Sequence, residues 1–197
     1  MNRSLAIAAA FAMGLGLTAA HAAADTANVV RALETAPISA LRQAHEPEAV
    51  QAVPRAVVPY SGGHAPGSII VDTAARRLYF VLEGGKAVRY AVGVARPGME
   101  WSGEQAVTAM RQWPDWRPPA EMLKRRPDLP RFMEGGPDNP LGARALYLGS
   151  SLYRIHGSNE PQTIGQAVSS GCIRMTNEDV VDLYARVRVG ARVVVLR

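Results

Sequence analysis

The chain contains one cysteine, Cys172, and four histidines, of which His156 lies 16 residues ahead of that cysteine. Cys172 ends the run Ser169-Ser170-Gly171-Cys172. His156 ends a short alternating stretch, Leu152–Ile155, and is followed by Gly157. A thiol beside a histidine can act as a nucleophile, with the imidazole taking the thiol proton and later handing it to a leaving or entering group. A glycine before the nucleophile lets the backbone turn sharply, so the Gly171 and Cys172 N–H groups could form an oxyanion hole. Cys172 also precedes a predicted helix, whose positive end would favour thiolate. Arg174 would share a strand face with Cys172 and could hold a substrate carboxylate in two-pronged fashion. Type and spacing alone leave two readings open, a served nucleophile or a buried structural cysteine.

The elements around these residues are short. Ser68–Val71 and Arg77–Leu82 read as strands, and Glu83-Gly84-Gly85-Lys86 supplies the turn into a further strand, Ala87–Val94. Ala106–Met110, Ala143–Leu148, Leu152–Ile155 and Ala191–Leu196 are further strand candidates. Thr176-x-x-Asp179 marks a helix N-cap, with the helix running to about Arg186 and broken by Gly190. Between the strands lies "RQWPDWRPPAEMLKRRPDLPRFMEGGPDNPLGAR", with one short helix near Ala120–Arg126; a long irregular insertion in a compact domain is usually a functional loop. Trp101, Trp113 and Trp116 could stack on sugar, cover a cleft or pack in the core, and Arg125, Arg126 and Arg131 read as a solvated face. The fold expected is mostly β with few helices, a sandwich or barrel.

Asn2 and Arg3, the apolar Leu5–Ala20 run and Ala20-His21-Ala22 have the pattern of a cleavable export signal, residues 1–22. The run is shorter than the roughly 20 residues that span a bilayer. Residues 23–66, interrupted by Pro37, Pro47, Pro54, Pro59 and Pro66, read as a partly disordered linker with a short helix near Asn28–Glu34, and 67–197 as the catalytic domain. A single cysteine in an exported chain points to a reactive thiol or to intermolecular pairing. His45, His64, His156 and Cys172 lack C-x-x-C or H-x-x-x-H spacing, which argues against zinc. The net charge of +5 suits an anionic polymer, but the basic residues are dispersed and no nucleic-acid pattern appears.

"IHGSNEPQTIGQAVSSGCIRM" resembles the active-site segment of the L,D-transpeptidases, the YkuD-like catalytic domain of bacterial cell walls. His156, Gly157, Gly165, Ser169, Gly171, Cys172, Ile173 and Arg174 carry the likeness, which runs from about Gly67 to Arg197. The resemblance implies a YkuD-like β-sandwich, with Cys172 as nucleophile and His156 as proton donor and acceptor. Ser169 would be an orienting group and Gly171 an oxyanion donor, with Arg174, Gly157, Ser158 and Ser170 contacting substrate. It implies no metal or organic cofactor. The substrate would be a peptidoglycan tetrapeptide stem, whose terminal D-Ala leaves. The acyl group would pass to an amine, giving a 3→3 cross-link or an attached outer-membrane protein or lipoprotein, in the periplasm or cell envelope. A hydrolase of the same bonds and a non-catalytic wall-binding module are the competing readings. Many members carry His where Ser170 stands and Thr where Ser158 stands. The group that orients His156 is either Ser169 or a backbone carbonyl near Gly157.

Overall fold

The computed structural model describes residues 53–197. The expected signal peptide, the Asn28–Glu34 helix and the part of the linker up to residue 52 lie outside them. Among the described residues no helix is long and apolar enough to cross a membrane.

Eleven strands and two α-helices follow in chain order: β1 Ala56–Pro59, β2 Ile69–Asp72, β3 Arg77–Leu82, β4 Lys86–Ala91, β5 Val94–Ala95, β6 Gly103–Gln112, α1 Ala120–Arg125, β7 Arg144–Leu148, β8 Arg154–His156, β9 Ala167–Ser169, β10 Ile173–Arg174, α2 Asn177–Arg186 and β11 Arg192–Leu196. Nine strands form one sheet in the order β1-β4-β3-β2-β11-β6-β7-β8-β10, and β5 pairs with β9 separately. The fold is mostly β, as the strand pattern implies.

The sheet curls because β6 serves two partners. Its first residues pair with β11 and its last with β7, with a register shift between Val107 and Ala109. A bulge of this kind bends the strand and raises its twist. The two halves enclose one core, in which Ile69, Val71, Leu78 and Tyr90 from one half meet Leu146, Ile155 and Ile173 from the other, with Val180 and Leu183 of α2. The central strands β2 and β11 pair in parallel and read as unbroken apolar runs, "IIV" and "VVV". Both faces of each are covered: Ile70 and Val194 pack on the far side with Val81, as parallel pairs usually require.

Two sequence expectations shift. Among the prolines read as linker interruptions, Pro59 ends an edge strand: β1 follows Pro54, closes on Pro59 and pairs antiparallel with β4. Proline lacks an N–H, and an edge strand is where a sheet tolerates it. The Tyr60 N–H continues the pairing to the Gly85 carbonyl at 2.8 Å. The Ala87–Val94 strand is really two pieces. β4 ends at Ala91, and the chain crosses at Gly93 to β5, which joins β9. Gly93 exchanges two 2.9 Å hydrogen bonds with Arg174. A Cβ there would stand 3.0 Å from the Thr163 carbonyl and 3.3 Å from the Arg174 Cβ, so a side chain would push these neighbours apart by a few tenths of an ångström. This contact brings the β10 end of the sheet back against the strand that leaves β4.

The Trp/Pro-rich insertion is anchored by one buried amide. Asn139 donates to the carbonyls of Pro114 (3.1 Å), Met133 (3.3 Å) and Glu134 (2.9 Å), and its Oδ1 accepts the Leu141 N–H at 2.9 Å. Trp116 and Met133 exchange backbone hydrogen bonds within it. Trp113 is exposed on it and Trp116 is half-buried, and Arg125, Arg126 and Arg131 face solvent. α2 starts at the Thr176 cap, whose Oγ1 accepts the Asp179 N–H at 3.1 Å.

Ile155 is fully buried at the centre of this core, behind the strand that carries His156. Ile155→Ala is expected to cost about 2–5 kcal/mol. Urea unfolding followed by circular dichroism measures it, with a lowered midpoint at unchanged slope.

Candidate active site

β8 and β10 form a short parallel ladder with Ile155 opposite Ile173 and His156 opposite Arg174. Side chains alternate faces along a strand. Ile155 and Ile173 therefore enter the core, and Arg154, His156 and Arg174 share the other face. Extending the register by one residue sets Cys172 across from Arg154 and diagonal to His156. The ladder thus brings together the two residues that the sequence separates by 16 positions.

His156 is only 4% exposed. Its Nδ1 lies 2.6 Å from the Gly157 carbonyl. A carbonyl can only accept, so Nδ1 carries the proton and Nε2 keeps its lone pair. The orienting group is thus the Gly157 carbonyl, and Ser169 is not involved. Burial, aided by the nearby Arg174 and Arg154 charges, lowers the His156 pKa to about 4 against the opposing pull of the Gly157 carbonyl. The imidazole is neutral at physiological pH, the state a general base needs.

Cys172 is half-buried. Its Sγ lies 3.8 Å from the Leu152 carbonyl, to which the thiol donates weakly. Burial pushes the thiol pKa up, while hydrogen bonding to Arg154 and the charges of Arg154 and Arg174 pull the other way. The expected helix effect is not the governing one. β10, Met175 and the Thr176 cap separate Cys172 from α2, and a helix end acts only over about its first turn.

The loop ahead of the thiol is clamped by Ser169. Its Oγ donates to the Cys172 carbonyl at 2.6 Å and accepts the Gly171 N–H at 3.1 Å. The Gly171 N–H is therefore engaged, contrary to the expectation that it serves an oxyanion. The Cys172 N–H has no backbone partner among the described residues. Gly171 has φ +118°, and a Cβ there would run into the Tyr153 ring. Its carbonyl accepts the Trp101 Nε1–H at 2.7 Å, and Trp101 stacks on Tyr153 at 4.6 Å between centroids. Trp101 thus braces the nucleophile loop.

The remaining expected residues are spread around this centre. Ser158 is buried and accepts the Glu160 N–H at 2.9 Å, which shapes the turn after Gly157. Gly157 packs where a Cβ would strike the Asn177 amide oxygen. Ser170 accepts a hydrogen bond from Arg96 at 3.1 Å. Arg174 holds a carboxylate, that of Glu160, at 3.0 Å. Arg154, Arg96 and Tyr153 are site residues that the sequence reading missed. Arg154 was discoverable, since it sits two residues before His156 in an alternating strand.

Among the described residues no three His, Cys, Asp or Glu side chains gather as metal ligands do. A thiol, a neutral imidazole and an unengaged N–H beside the sulfur form the parts of an acyl-transfer site.

The family model for the L,D-transpeptidase catalytic domain matches residues 66–195. The chain is 38% identical over 135 residues to the "Probable L,D-transpeptidase ErfK/SrfK" of Escherichia coli strain K12, covering 65% of this chain and 43% of that relative's own length. Among solved structures, an L,D-transpeptidase from Mycobacterium smegmatis matches with a TM-score of 0.55 at 16% identity, over 72% of this chain and 67% of the other. A Brucella melitensis chain described as "Probable carnitine operon oxidoreductase caia" is 42% identical over 78% of this chain and 97% of its own, with a TM-score of 0.50.

The His156 environment makes stability depend on pH. The folded imidazole titrates at about 4 and the unfolded one at about 6.5, so between these values the unfolded chain binds more protons. Stability from this group is present above about pH 6.5 and is lost as pH falls to 4, on the order of 3 kcal/mol in all. Denaturant midpoints measured across that range should fall less steeply in His156→Gln than in wild type.

Proposed function

Because this chain belongs to the L,D-transpeptidase catalytic-domain family, we propose that it acts on peptidoglycan tetrapeptide stems through a Cys172 acyl-enzyme and passes the acyl group to an amine. The observation that carries the reading is a neutral, tautomer-defined imidazole on one strand of a ladder and a half-buried thiol on the residue that leads into its neighbour.

His156 Nε2 takes the thiol proton, and the electron pair left on sulfur attacks the carbonyl carbon of the bond before the terminal D-Ala. The Cys172 N–H faces the oxyanion that forms. The protonated imidazole gives its proton to the departing D-Ala nitrogen, and the C–N bond breaks to leave a thioester. An acceptor amine then attacks the thioester, loses a proton to Nε2, and the sulfur leaves with that proton returned. A second stem as acceptor yields a 3→3 cross-link, and an outer-membrane protein or lipoprotein yields a wall-anchored protein. Arg174 would receive a substrate carboxylate in the place where it now holds Glu160. The chain's basic charge suits an anionic wall polymer, and the leader-like residues 1–22 suit export to the periplasm or cell envelope, with the residues between them and β1 as tether.

Mass spectrometry of the purified chain with tetrapeptide muropeptides tests this, with cross-linked dimers expected. Tripeptides alone would make it a hydrolase, and no change would refute the reading. Cys172→Ala should abolish turnover while changing stability by less than about 2 kcal/mol, and His156→Gln should slow it by about 10²–10⁴-fold. A carbapenem, whose strained carbonyl is open to a thiolate, should add one drug mass at Cys172; an adduct elsewhere would count against the assignment.

Arg174→Ala should lower kcat/KM for a carboxylate-bearing stem roughly ten- to a hundredfold and spare a donor lacking that carboxylate. Equal losses for both donors would mean that Arg174 only braces the loop. Arg174→Lys should rescue poorly, because an ammonium cannot reproduce the fork.

A further inference from the structure

Arg154 stands closer to the nucleophile than its place in the sequence suggests. In the β7–β8 pairing it lies opposite Tyr147, and its guanidinium sits over that ring at 4.9 Å from the centroid. Its NH1 donates to the Leu152 carbonyl at 3.1 Å, the same oxygen that the Cys172 Sγ reaches at 3.8 Å. Guanidinium and sulfur therefore converge on one acceptor. The Arg154 Nε–H is buried and makes no hydrogen bond, a costly state for a charged donor unless something occupies it in another step.

The charges around the sulfur are unequal in availability. Arg174, on β10, is answered by Glu160. Arg96 is engaged with Ser170. His156 on β8 is neutral, and Tyr153 and Trp101 flank the loop without charge. Among the described residues Arg154 has no carboxylate partner within ion-pair distance, unlike Arg55, Arg126, Arg186 and Arg192.

We propose that Arg154 is the cationic partner of the Cys172 sulfur, its guanidinium turning from the Leu152 carbonyl to the thiolate once the thiol proton has left. While the thiol is protonated, both groups donate to the two lone pairs of one carbonyl. When the S–H bond breaks, its electron pair stays on sulfur and its proton leaves to a base, so the sulfur becomes an anionic acceptor, stronger than the carbonyl, for the spare Nε–H. Arg154 thereby deepens the proposed function: it lets a buried sulfur ionise in a site where burial alone would oppose it. The inference rests on the cysteine being the nucleophile, but its test needs no stem substrate.

The experiment is the pH dependence of Cys172 alkylation by iodoacetamide, read by intact mass in wild type, Arg154→Gln and Arg154→Lys, with thermal melting of each. The midpoint in Arg154→Gln should rise by about one pH unit, roughly a tenfold loss of thiolate on the acid side. In Arg154→Lys, which keeps the charge, it should stay within about half a unit of wild type. A folded Gln variant with an unmoved midpoint overturns the proposal and leaves Arg154 as a brace for the Leu152 bend. If the Gln variant fails to fold, the Lys variant decides, and a midpoint raised by a full unit overturns it. Normal midpoint shifts combined with no muropeptide turnover would sink the transpeptidase reading and leave this one standing.

Discussion

Everything at the site depends on the two-residue parallel pairing of β8 with β10. One face of that ladder is core, where Ile155 and Ile173 lie against α2 and the curled sheet. The other face carries Arg154, His156 and Arg174. Burial of the isoleucines sets the register, because a slip of one residue would put charged groups into the core and isoleucines at the surface. The same register sets the thiol beside the imidazole. The hydrophobic core and the chemistry are two faces of one constraint, which explains why so short a ladder can hold a site in place. Gly93 seals its outer edge through the paired bonds to Arg174.

The electrostatics follow from burial. Desolvation disfavours charge on both members of the pair, lowering the imidazole and raising the thiol. The resting state is a neutral thiol beside a neutral imidazole. Ionisation is left to the moment of reaction, when the charge formed on sulfur meets Arg154 and Arg174. The guanidinium groups that suppress protonation of His156 also favour the thiolate. At the sulfur burial still outweighs these charges, so the thiol keeps its proton at rest and the ring holds no positive charge.

The irregular insertion shows how a Pro-rich segment can be held without regular structure. Proline removes donors, so carbonyls are left over, and the two N–H bonds of the Asn139 amide are shared among three of them. The chain leaves Asn139 directly into Leu141–Ala143 and β7, and Gly142 packs against Ser158 and Asn177. The anchor of the insertion and the support of the His156 loop are therefore mechanically continuous.

Much of this is legible in the residues. Apolar patterning marks the strands, alternating in β3 and β7 and unbroken in β2 and β11, because burial of one or both faces imposes a pattern whatever the partners. The Thr176 cap is local, written in four consecutive positions. The His-Gly and Ser-x-Gly-Cys spacing points to the thiol and imidazole, since the types of residue carry the chemistry. What tertiary structure alone decided was which atoms meet. Pro59 looked like a break until pairing with β4 made it the end of an edge strand. Gly171 looked like an oxyanion donor until the Ser169 hydroxyl claimed its N–H, and of the two groups offered to orient His156, Ser169 or a carbonyl near Gly157, the carbonyl is the one within hydrogen-bond reach. Arg154 was one arginine among many until β7 and β10 flanked it. Patterns of burial and capping act over a few residues and survive in the sequence. The contacts of single donors and acceptors depend on which strands become neighbours, and only long-range pairing settles that.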